Sequence, residues 1–184
     1  MRMVVMTAML ALASPYGAAA QTAQPYAGLE TRPVKALTDQ QIADLRAGRG
    51  AGFALSAELN GYPGPSHVLE LAAPLGLSSE QRRSTQNLFN AMKAETKPLG
   101  ETMVAQEEGL DRLFATKTAA VTSLDDATRS IAETQGRLRA AHLRHHLAMM
   151  DVLTPHQVAR YATLRGYSGT GGAAPAHGHG SHPR

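Results

Sequence analysis

The 184-residue chain contains no cysteine and no tryptophan, and only 4% of its residues are aromatic. Without cysteine there is no disulfide, no thiolate nucleophile and no cysteine-type zinc site, so a metal can be held only by His, Met or carboxylate. The scarcity of aromatic residues argues against a β-sandwich core, and the plentiful Ala, Leu and Gln favour helices. No charge of one sign dominates: 18 Lys+Arg stand against 15 Asp+Glu and are interspersed with them, unlike the basic stripe of a nucleic-acid binder. Long hydrophobic runs are also missing. The apolar stretch Met3–Ala13 is about a dozen residues, short of the roughly 20 that span a bilayer, and it ends at the small-residue triplet Ala18-Ala19-Ala20. That pattern predicts a signal peptide over 1–20 cleaved after Ala20, and a mature protein with no membrane span that is exported to the periplasm.

Punctuation divides the rest. Residues 21–36, interrupted by Pro25, Gly28 and Pro33, read as an extended arm. A short helix is expected over Asp39–Ala47, a break at Gly48-Arg49-Gly50-Ala51-Gly52, a turn or two of helix over Phe53–Leu59, and a rigid turn over Asn60–Pro65. A further short helix is expected from Ser66 to about Ala73. Leu88, Met92, Leu99, Met103, Leu110 and Leu113 then recur at steps of three, four or seven, which marks one long helix over Ser78–Phe114. Pro98 removes a backbone donor inside it and predicts a kink near Ala94. A second long helix is expected from Ser123 or Leu124 to Val152, and a last one from Thr154 to about Arg165. The glycine-rich end, residues 168–184, carries His177, His179 and His182 and reads as a disordered tail.

Three sites share one pattern: Leu37-Thr38-Asp39-Gln40-Gln41, Leu77-Ser78-Ser79-Glu80-Gln81 and Leu153-Thr154-Pro155-His156-Gln157. Each is a capping box, in which the hydroxyl of Thr38, Ser78 or Thr154 accepts from a first-turn N–H and Gln41, Gln81 or Gln157 reaches back. With these three motifs the sequence resembles the LTxxQ family of bacterial periplasmic proteins, which holds the Spy/CpxP chaperones and the ZraP/CnrX-type heavy-metal sensors. The resemblance covers Leu37 to Tyr167, a helical LTxxQ-type domain over 37–167. It implies an all-α fold, a long antiparallel helical hairpin with short flanking helices, in a cradle-like homodimer that needs no ATP. Copy one has Asp-Gln where relatives often have Pro-Glu, and copy two has Ser for Thr.

The densest chemistry is Ala141-His142-Leu143-Arg144-His145-His146-Leu147-Ala148-Met149-Met150. His142 and His145 fall on one stripe with Ile131, Leu138, Met149 and Val152, and His146 lies at its edge, one turn above His142. Imidazoles at i and i+4 suit Zn²⁺, Cu²⁺ or Ni²⁺, with a further ligand from His67, Glu58 or a dimer mate. Hydrogen-bonded histidines near an interface are the plainer alternative. A zinc hydrolase needs Glu directly after the first His, where Leu143 stands, and no nucleophile elbow or phosphate loop is present. A non-enzymatic protein is expected, with no required cofactor.

Three functions remain open at this point. In the first, the chain is an ATP-independent chaperone that holds unfolded or stress-damaged periplasmic proteins on Leu143, Leu147 and Met150 with Arg139 and Arg144. In the second it is a heavy-metal sensor or buffer, using His142, His145 and His146 and signalling to a sensor kinase or another metal-response protein. In the third it is a structural or interaction protein.

Overall fold

The computed structural model describes residues 26–167, so the expected signal peptide and histidine tail lie outside the described residues. Among the described residues the structure is all helical, with six α-helices: α1 (Asp39–Arg46), α2 (Leu55–Glu58), α3 (Pro65–Glu70), α4 (Ser79–Ala115), α5 (Val121–Met149) and α6 (Pro155–Leu164). α4 and α5 form the expected hairpin and pack along their length, α1 lies on α4, α3 on α4 and α5, and α2 on α5. Among the described residues no helix is long and apolar enough to cross a membrane.

α1, α4 and α6 each begin at one of the three repeated motifs. Thr38, Ser78 and Thr154 accept from the backbone N–H of Gln41, Gln81 and Gln157, and each glutamine returns a bond to the cap residue's own N–H. Burial then separates the copies. Gln41 is exposed, whereas Gln81 and Gln157 face one another. Gln81 Nε2 donates to Gln157 Oε1 at 2.7 Å and Gln157 Nε2 donates to Gln81 Oε1 at 3.1 Å. The remaining N–H groups reach the carbonyls of Val152 and Leu75. Every donor of this amide pair is therefore used, and the starts of α4 and α6 are clasped together.

Two hydrophobic clusters succeed one another along the hairpin, one near the middle of α4 and one at the end of α5. One joins Val34, Leu37, Ile42, Leu45 and Phe53 to Leu99, Met103, Val104, Leu138 and Ala141. The other joins Val68, Ala72, Leu75 and Leu77 to Met149, Leu153 and Tyr161. The α4 stripe buries Met92, Leu99 and Met103 as expected, but Thr85, Thr96 and Gly100 share the same face. The two threonine hydroxyls are satisfied within the helix, donating to the carbonyls of Gln81 and Met92.

Two expectations require correction. Residues 26–36 are not an extended arm throughout: Leu29–Thr31 form a 3₁₀ turn, and Val34 is wholly buried in the first cluster because the chain must bring Leu37 to the start of α1. α4 runs as one helix through Pro98, in keeping with the apolar stripe that continues on both sides of it, and the proline lies on the exposed face, where a lost donor is tolerated. α5 starts at Val121, earlier than Ser123, because the Ser123 hydroxyl accepts the Ala120 N–H from inside the first turn.

Candidate functional site

α5 carries its histidines between the two clusters, Ala141 belonging to the first and Met149 to the second. His142 and His146 point inward, 2% and 6% exposed. Both line a cleft of about 220 Å³ with Glu58, Gly50, Gly64 and Met92, and His67 stands among the lining residues paired with Glu70 at 3.0 Å. His145 does not enter this cleft; its Nε2 lies 3.6 Å from Glu95. The structure thus exchanges the positions expected from the sequence. On an α-helix i+4 departs about 40° from i and i+3 about 60° to the other side, and the core lies on the i+4 side.

The cleft wall opposite α5 is built by the turns around α2 and α3. Gly64, the N-cap of α3, is the position where a β-carbon cannot fit: it would sit 2.7 Å from His146 Cε1 and 2.9 Å from His146 Nε2. Glu58 Oε2 lies 3.6 Å from that same point. The space left by the missing side chain is therefore bounded by an imidazole nitrogen and a carboxylate oxygen.

Hydrogen bonding fixes the chemistry of these groups. His146 Nδ1 is 2.7 Å from the Tyr62 carbonyl oxygen, so Nδ1 carries the proton and, in the neutral ring, Nε2 keeps its lone pair facing the cleft. This is the arrangement in which a histidine donates one N–H to a backbone carbonyl and leaves the other nitrogen free to ligate. His142 stacks on Phe53 at a centroid distance of 6.2 Å, and its Nε2 is buried with no hydrogen-bond partner. Burial, with His146 and His145 nearby, pushes its pKa down to about 4, so the ring stays neutral in the fold. Glu58 is 7% exposed and divides its two oxygens. Oε1 accepts from the Tyr161 hydroxyl and from the Tyr167 hydroxyl at 3.1 Å, with Arg165 Nε 3.6 Å away. Oε2 has no hydrogen-bond partner and faces His146 Nδ1 at 3.8 Å.

A depressed histidine pKa sets the sign of a pH effect. Between about 4 and 6.5 the unfolded chain binds a proton at His142 and the folded chain does not, so stability is complete above this window and falls as the pH drops through it. We expect His142→Leu to remove roughly 3 kcal/mol of that acid-induced loss, as the difference between wild-type and variant urea midpoints at pH 7 and pH 4. Parallel wild-type and variant profiles would show that His142 takes up its proton as readily folded as unfolded.

The residues named for client binding occupy the other side of α5 and its end. Leu147 is 57% exposed and Met150 37%, Leu143 is half-buried, Arg139 is exposed, and Arg144 is ion-paired with Glu95. Tyr161, Tyr167 and Gly64 were not legible as site residues, since each touches Glu58 or His146 across a long stretch of sequence. Glu58 and His67, named from the sequence as possible further ligands, both line the cleft.

The histidines and Glu58 are donors of the kind that hold borderline divalent metals, and two of their buried atoms lack partners. Among the described residues, however, no three His, Asp or Glu side chains already converge on one point suited to an ion. The donors fit such a metal in type, but the structure does not assemble them around one point. No curated protein and no solved structure matches the chain. A family profile described as heavy-metal resistance matches residues 47–160, which takes in α2 to α5, most of α6, the histidine cleft and two of the three capping motifs, and the chain accordingly belongs to that family of LTxxQ-type periplasmic proteins.

Proposed function

We propose that the chain is a metal-responsive protein of the periplasm, which captures a divalent transition metal in the α2–α5 cleft with His142, His146 and Glu58. One observation carries this reading: His142 Nε2 and Glu58 Oε2 are buried polar atoms without hydrogen-bond partners on one small cleft, beside an imidazole whose tautomer leaves Nε2 free. Such atoms are costly to bury unless something satisfies them. The bound ion supplies positive charge to the carboxylate and an acceptor for two lone pairs. The protein supplies the His142 imidazole in its neutral form, a hydrogen bond to the Tyr62 carbonyl that orients His146, and a glycine that keeps the space open.

Calorimetric titration with Zn²⁺, Cu²⁺ and Ni²⁺ tests this on the full chain carrying His177→Ala, His179→Ala and His182→Ala, which silences the tail. At least one ion should bind with a defined stoichiometry, and His142→Ala and His146→Ala should each weaken it about a hundredfold or more. Gly64→Ala, which removes no ligand, should weaken it as well by filling the space beside His146 Nε2. Binding no tighter than millimolar, or binding untouched by both histidine substitutions, removes the proposal.

A second reading, an ATP-independent chaperone, draws support from the exposed Leu147 and Met150. Aggregation suppression by the metal-stripped protein, alongside failure of the titration, would move the function there.

A further inference from the structure

The metal proposal leaves α6 without a role, yet α6 and the residues just after it hold Glu58. The three groups around Glu58 Oε1 are Tyr161, Arg165 and Tyr167, and all belong to this segment. Tyr161 is 1% exposed, so the contact is internal to the fold. Glu58 itself sits at the end of the four-residue helix α2, too short to fix a carboxylate unaided.

We infer that Glu58 couples the cleft to α6, so that a cation captured on the Oε2 side and α6 docked on the Oε1 side stabilise one another. This rests on the metal reading above. A carboxylate offers about four acceptor sites on two oxygens, and here only one oxygen is supplied with donors. The second oxygen accepts no hydrogen bond and has only His146 Nδ1 at 3.8 Å, so the carboxylate is compensated mainly on the other side, by two phenols and a guanidinium. Positive charge arriving on the open side completes that compensation without displacing the phenols. It thereby strengthens the reason for α6 to stay docked. The converse follows by thermodynamic reciprocity: donors from α6 hold Glu58 in the orientation a ligand needs, so their loss weakens metal binding by the same factor that metal protects α6. Tyr161 and Tyr167 act as positioning residues, since their hydroxyls bond Glu58 Oε1 and neither lines the cleft.

Hydrogen exchange of the backbone amides, with and without saturating Zn²⁺, Cu²⁺ or Ni²⁺, tests this on the full chain with its three tail histidines replaced by alanine. Exchange over Pro155–Tyr167 should slow by about fivefold or more on metal binding, beyond any slowing in α1, which packs on α4 in the other hydrophobic cluster. In Tyr161→Phe the metal should bind about tenfold more weakly, and the metal-dependent slowing in α6 should shrink toward that of α1. Tyr167→Phe removes the other phenol donor and should show the same two changes at smaller size, which keeps the test open if Tyr161→Phe does not fold.

Uniform slowing over α1 and α6 would be plain mass-action stabilisation of the native state and would overturn the coupling while leaving the metal site intact. Metal bound with α6 unchanged does the same. Absence of any isotherm in the parent protein removes the metal reading and this inference together, and the isotherm alone tells that failure from the others.

Discussion

Gly100→Ala should destabilise the fold by about 3 kcal/mol or more, although alanine is the better helix former by about 1 kcal/mol. Gly100 lies in the interior of α4, where α1 crosses it. A β-carbon there would run into the carbonyl of Leu45, with the carbonyl carbon at 2.6 Å and Cα at 3.2 Å. These are backbone atoms at the end of a helix, so no side chain can swing aside. α1 would have to lift, opening the cluster that holds Ile42, Leu45 and Leu99. Gly109 in the same helix and Gly136 in α5 supply the contrast, because a β-carbon at either meets open space. Alanine there should stabilise by up to about 1 kcal/mol. Urea unfolding of the three single variants checks this, and similar midpoints for Gly100→Ala and Gly109→Ala would mean that α1 does not press on α4.

The clasp between the second and third capping motifs should yield the next largest effect. Gln157→Leu keeps the bulk but takes the partner from the Thr154 N–H, the Leu75 carbonyl and both functional ends of the Gln81 amide. Several of these groups are buried, and each left unsatisfied costs about 1–3 kcal/mol, so a loss of roughly 3–5 kcal/mol is expected after relaxation. Gln41→Leu disrupts the same box in α1, where the glutamine is exposed and bonds only its own cap, and should cost about 1 kcal/mol. Equal costs at the two positions in thermal or urea unfolding would show that the Gln81–Gln157 pairing contributes nothing beyond capping.

These examples mark where the sequence could be read. Helix starts at Asp39, Ser79 and Pro155 were legible because a capping box is local, written within four residues. The hairpin was legible from its apolar period, although Thr85, Thr96 and Gly100 hid on the same stripe: two hydroxyls that satisfy themselves and a glycine look polar or neutral until burial is known. The pair Gln81 and Gln157 was invisible as a pair, since nothing in a motif tells which copy it will meet. At the site, His142 and His146 were legible as neighbours on a helix, but the choice between His145 and His146 as the inner residue depended on which side the core approached. Tyr161 and Tyr167 carried no signal, because their relation to Glu58 is created by folding alone.

The Gln81–Gln157 pair also sets which parts of the molecule respond to their surroundings. Neither amide takes up or releases a proton over any ordinary range of acidity, and neither carries net charge for salt to screen. The joint between the starts of α4 and α6 is therefore indifferent to acid and brine. The Glu58–His146 contact instead places a carboxylate beside an imidazole, so it involves net charge that salt and arriving cations can act on. In a compartment that takes on the acidity and ionic strength of the outside medium, the first would act as a fixed hinge pin. Changes in the environment would be felt at the second.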